Sequence, residues 1–184
     1  MGFRRIGKTP HRLHIQGAAT QWPVYDAPTR LSMNAAHNVI VTCNVVRKIK
    51  EFSSHSDLLR ELTLPEDVIN PWHTIQSRSG QFIVSHGLGV DPINRKCMTS
   101  ADCRHIVHSL GGQLGSDIGQ YSVPNYLAVD DSEFVYVADF VNRRVTLLSP
   151  TLSYIRQILS SDKLQSVPEL LYLQRRAKTT SVRY

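Results

Sequence analysis

Four side chains able to hold a metal lie within twelve residues: Cys97, Cys103, His105 and His108. A closed zinc site usually takes cysteines two to four residues apart and histidines three to five apart. Here the pattern is Cys-x5-Cys-x-His-x2-His. If the segment is a strand, His105 and His108 point to opposite faces, because side chains alternate along a strand. The spacing therefore predicts no metal site. Cys97 reads as a small core residue, and Cys103 as a tolerated, exposed one. Other catalytic signatures are missing. No G-x-S-x-G, P-loop or dinucleotide-binding glycine pattern occurs. The glycine-rich "LGGQLGSDIGQ" does not follow a strand and open a helix, so it does not read as a phosphate cradle. Asp102, Asp130, Asp131 and Asp139 read as turn formers, and His37, His73 and His86 are out of register with one another. Metal-dependent chemistry needs such groups to converge. The expectation is a non-catalytic chain without cofactors, with a metal-dependent hydrolase or lyase as the remote alternative.

The basic residues follow a pattern. Arg47-Lys48, Arg95-Lys96 and Arg143-Arg144 are doublets spaced 48 residues apart. Arg144 also lies five residues after Asp139, close enough for an ion pair across a hairpin. That pair reads as structural, a hydrogen-bonded lock.

The elements that position these residues are set by a repeat. Pro28, Pro71, Pro124 and Pro168 are separated by 43, 53 and 44 residues. Each of the first three is followed eleven residues later by an apolar run: "VIVTC" from Val39, "FIVSH" from Phe82, "VYVAD" from Val135. The longer gap contains the glycine-rich insertion, suited to a loop. Short alternating runs such as "YLAVD", "RVTLL" and "YIRQIL" have strand periodicity. Asp130-Asp131-Ser132, Asn142 and Ser149-Pro150 supply turns between them. Each copy therefore reads as a four-stranded antiparallel meander of propeller-blade length. The predicted architecture is all-β, a partial, open β-propeller of three blades (28–70, 71–123, 124–167) plus a truncated fourth (168–184). Residues 1–27 form a basic segment without a blade match.

"PNYLAVDDSEFVYVADFVNRRVTLLS" (Pro124–Ser149) resembles an NHL repeat, whose pattern is roughly P-x-x-[LIV]-A-V-D, then [LIV]-Y-V-A-D, then N-x-R and an aliphatic strand. The likeness is fair for Pro28–Leu62 and Pro71–His108, where "VAD" becomes "VTC" and "VSH", and it covers about residues 28–175. The resemblance implies a six-bladed ring such as ends tripartite-motif ubiquitin ligases. No RING, B-box or coiled-coil heptads accompany it. Three blades and a stub imply a fragment, a truncated gene model, or a chain that closes a ring by self-association through its open blade edges.

In a meander, the turn between strands two and three emerges where strand one begins. The doublets should therefore share a face with the residues after each proline: Thr29-Arg30, Trp72-His73 and Asn125-Tyr126. The predicted partner face is Arg30, Arg47, Lys48, Trp72, His73, Arg95, Lys96, Tyr126, Arg143 and Arg144. Cations with interleaved aromatics suit either a protein ligand or single-stranded RNA. The net charge of +6 favours an anionic partner. The leading expectation is protein recognition, as the substrate-recruiting part of a ligase-like assembly, with RNA as the alternative. No run of 18 apolar residues occurs, so no membrane helix is expected. Three cysteines, an odd number, point to a reducing, cytoplasmic setting.

Overall fold

The turn formers do what their chemistry suggests. Asn34 Oδ1 accepts from the backbone N–H groups of Ala36 and Asn38, and Asp130 Oδ1 from those of Ser132 and Phe134. Ser53, Ser77 and Ser149 hydroxyls accept from Asp57, Gln81 and Ser153 in the same way. Each such side chain stands in for a backbone turn and reverses the chain. The structure, a computed structural model, describes residues 12–15, 18–21, 26–87, 96–100 and 105–160, and the side chains of 26–87 and 105–160.

Every regular element described is a strand. β1 (Arg12–Ile15) and β2 (Ala18–Gln21) form a separate two-stranded sheet, an element that the sequence did not suggest. Three four-stranded antiparallel sheets follow, each in chain order. The first is β3 (Pro28–Met33), β4 (Val39–Cys43), β5 (Lys48–Phe52) and β6 (Leu58–Thr63). The second is β7 (His73–Gln76), β8 (Phe82–His86), β9 (Lys96–Ser100) and β10 (His108–Gly111). The third is β11 (Pro124–Val129), β12 (Val135–Asp139), β13 (Arg144–Leu148) and β14 (Tyr154–Leu159). The eleven-residue spacing from each proline lands on the first residue of β4, β8 and β12. The predicted fourth blade, 168–184, lies outside the described residues.

The repeat also governs the backbone. His37 and Glu133, Arg47 and Arg143, and Ser56 and Leu152 are pairs 96 residues apart, and all six have positive φ. Corresponding turns thus take the same left-handed conformation in the first and third sheets, although none of the six is glycine.

Burial departs from simple alternation. β4 and β8 are buried at all five positions, whereas most of β6 and β14 is exposed. β8 belongs to the middle sheet, with a neighbour on each face, and the polar positions Thr42 and Ser85 of β4 and β8 are buried as well. The outer strand has no such cover. One core cluster, Val39, Val41, Cys43 and Phe52, belongs to the first sheet alone, and two lie between sheets. Ile40, Ile49, Leu64 and Val68 meet Phe82 and Val84 across the first and second sheets. Ile75 and Ile83 meet Tyr121, Leu127, Val135, Val137, Leu148 and Leu152 across the second and third. A blade can hide its faces only against neighbours.

Candidate functional site

Strand register places the predicted residues that the structure describes at one end of the sheets. Pro28 pairs with Cys43, and Pro124 with Asp139, so the β4–β5 and β12–β13 turns lie beside the starts of β3 and β11. Cross-sheet bonds hold the inner strands level: the Thr29 hydroxyl donates to the Trp72 carbonyl at 3.2 Å, and that of Ser32 to Thr74 at 2.7 Å. The opposite end is tied separately, by the Arg78–Asp131 ion pair and by Ser79 N–H donating to Glu133 Oε1 at 2.6 Å.

At the strand-start end, Arg30, Trp72, His73 and Tyr126 come together from three sheets. The Arg30 guanidinium carbon lies 4.8 Å from the Trp72 ring centroid and 5.0 Å from that of Tyr126. Tyr126 meets His73 edge-on, with centroids 5.9 Å apart. His73 itself is buried, which the sequence reading did not foresee. Its Nδ1 accepts from Leu127 N–H at 2.9 Å, so the ring proton sits on Nε2. Burial drives its pKa down to about 4; a hydrogen bond to the Leu31 backbone opposes that, and the nearby Arg30 charge reinforces it. His73 is therefore a neutral stitch joining β3, β7 and β11, not a cation on the surface.

Asp139 and Arg144 face each other in register on β12 and β13, with Oδ2 and Nη2 3.3 Å apart. The Asp139 carboxylate is fully buried. It accepts from Ser122 N–H at 3.0 Å, Val123 N–H at 2.8 Å and Asn142 Nδ2 at 2.6 Å. Arg144 donates to the carbonyls of Ser116 and Gln120, and Asn142 to that of Gly115. The glycine-rich insertion is thus the socket for this pair. Asn142 was read as a turn former only, and the Ser116 and Gln120 carbonyls escaped the sequence reading. The "NRR" triplet was the available signal for Asn142, and carbonyls leave no trace in sequence.

Several proposed face residues need correction. Arg144 is buried by its own lock and is not displayed. Lys48 pairs with Glu61, and Lys50 bridges Asp26 at 2.6 Å and Glu61 at 3.1 Å, so the two β5 lysines are spent internally. Lys48 and Lys96 occupy the register position of Arg144, opposite Cys43 and His86. Arg47 is half-buried and donates from Nη1 to the Glu66 carbonyl at 3.0 Å, while Arg143 is exposed. Arg95, Cys103 and the side chains of Lys96 and Cys97 lie outside the described residues. Cys43 is buried, and burial raises its pKa to about 11, which makes it an unreactive thiol.

No protein-family model and no curated protein matches the chain. Solved structures do. A streptogramin B lyase superposes with a TM-score of 0.56 at 14% identity, covering 77% of this chain and 44% of that one. A virginiamycin B lyase from Staphylococcus aureus gives 0.55 at 16%, covering 78% and 46%. A protein of unknown function from Bacteroides caccae gives 0.51 at 14%, covering 76% and 52%. The chain spans about half the length of these proteins. The first two overturn one expectation: a fold shared with lyases gives no ground for reading the chain as non-catalytic from missing motifs. What the likeness establishes is the architecture, an all-β chain of four-stranded antiparallel sheets of the β-propeller kind.

Proposed function

We propose that the chain is a binding scaffold whose strand-start face docks a protein partner, and that its repeats are of the NHL kind. The observation that carries the first part is the placement of Arg30. It projects a guanidinium between two aromatic rings from neighbouring sheets, and no carboxylate pairs with it among the described residues. Arginine flanked by tryptophan and tyrosine is the composition of interface hot spots. The sheets fix the backbone beneath it, so docking orders few side chains. The NHL assignment rests on Pro124–Ser149, where the motif residues Asp139, Asn142 and Arg144 make one connected lock. A role as the substrate-recruiting part of a ligase-like assembly follows from that resemblance alone.

Single-stranded RNA is the second reading, favoured by the cations and rings sharing an end. Base stacking needs free aromatic faces. Arg30 already covers one face each of Trp72 and Tyr126, which weighs toward protein.

The test is site-specific photo-crosslinking in cells, with the reactive group at residue 126 or, at the opposite end, residue 132. Protein adducts from 126 that are absent from 132, and that Trp72→Ala diminishes, are expected. Equal yields from both ends refute the face. RNA adducts from 126 with a steep salt dependence would transfer the face to nucleic acid.

A further inference from the structure

We infer that Arg30 is the receptor for a carboxylate carried by an acidic segment of the partner. The inference rests on the proposed docking face and names the chemistry it recognises. Two unpartnered donors carry it. Arg30 Nε and Trp72 Nε1 are both buried, and neither has a hydrogen-bond partner among the described residues. The guanidinium lies over the Trp72 ring, so the two donors sit together at the starts of adjacent inner strands.

Among the described residues, only one hydrogen bond occupies the Arg30 side chain, from Nη1 to the Thr29 carbonyl at 3.0 Å. The remaining N–H groups of the fork are unspent. Its plane is already held by Trp72 and Tyr126 at 4.8 and 5.0 Å. A guanidinium whose orientation is set before binding loses little freedom when a planar anion docks. Guanidinium and indole are donors only, so a ligand that satisfies them brings an acceptor, and beside a guanidinium an anionic one. The planar carboxylate of an acidic residue matches the fork in charge and shape.

The surrounding charge favours a segment with several acidic residues over a single chain terminus. Arg143 is exposed at the same end of the sheets, and Arg47 makes no ion pair among the described residues. Both belong to turns flanking this end, where further carboxylates of an extended acidic stretch would lie. The chain's net charge is +6.

The experiment follows the Trp72 indole N–H by proton–nitrogen NMR, assigned by its loss in Trp72→Phe. The full chain is titrated with an N-acetylated, C-amidated peptide of alternating glutamate and glycine. A saturable shift of that resonance is expected. The glutamine counterpart should leave it in place. Arg30→Gln should weaken binding about ten- to a hundredfold, the loss expected for a charge-assisted pair. Arg30→Lys keeps a charge over the rings while losing the fork, so it checks that any loss is not a folding defect; it should weaken binding measurably while leaving the melting temperature within a few degrees.

Four results would overturn the inference. They are no shift at millimolar peptide, an equal shift by the glutamine peptide, a shift only by a neutral peptide with a free C-terminus, or preferential displacement by single-stranded RNA. Crosslinking confined to residue 126 without any glutamate-dependent shift would sink the carboxylate receptor and leave the docking face standing. Loss of both would remove the face itself.

Discussion

Acid should loosen the sheets from one another through His73. The ring is buried and neutral, accepting from Leu127 N–H and carrying its proton toward the Leu31 backbone. Protonation would put a donor where Nδ1 accepts, beside the Arg30 cation. The group's pKa falls from an ordinary 6.5 to about 4 in the folded state. A depressed folded value means that stability is fully present above pH 6.5 and declines as pH falls to about 4, below which this group contributes no further change. Each pH unit of that window is worth about 1.36 kcal/mol, so the full span comes to about 3 kcal/mol. The assay is urea denaturation followed by tryptophan fluorescence, at half-unit steps from pH 7.5 to 3.5, on the wild type and on His73→Gln. The wild-type midpoint should fall across the window. The variant should begin less stable and lack this part of the slope. The carboxylates titrate in both proteins, and the difference isolates His73. Parallel curves would refute the stitch, and so would a wild-type slope confined below pH 4.

Three other outcomes are expected. Asp139→Ala strips Arg144 of its counter-ion and orphans the Ser122 and Val123 N–H groups, which should cost about 3–5 kcal/mol in the urea midpoint. Arg143→Gly places glycine at a φ of 48° and should stabilise the chain by about 1 kcal/mol, read as a higher melting temperature; an unchanged or lower value would show that the turn is not strained. Phe82→Ala empties the centre of the core between the first and second sheets and should cost about 3–5 kcal/mol, with the loss of cooperative unfolding as an equally telling sign.

The sequence by itself determined the strands of the three four-stranded sheets and their spacing. Prolines, turn-forming Asn, Asp and Ser, and apolar runs act over a few residues, so their effects can be read locally. The onset of β4, β8 and β12 eleven residues after a proline is of this kind, and so is the ion pair between Asp139 and Arg144, whose partners are joined by a single turn. Only the tertiary structure decided which cations are displayed. Lys48 is neutralised by Glu61 from another strand, Arg144 is enclosed by a loop more than twenty residues earlier, and His73 is buried between two neighbouring sheets. It likewise decided that Arg30 lies between Trp72 and Tyr126, residues 42 and 96 positions away. A side chain's charge is legible in one letter. Its exposure and its partner depend on what the neighbouring blade brings against it, and that contact is made across distances that local patterns do not span.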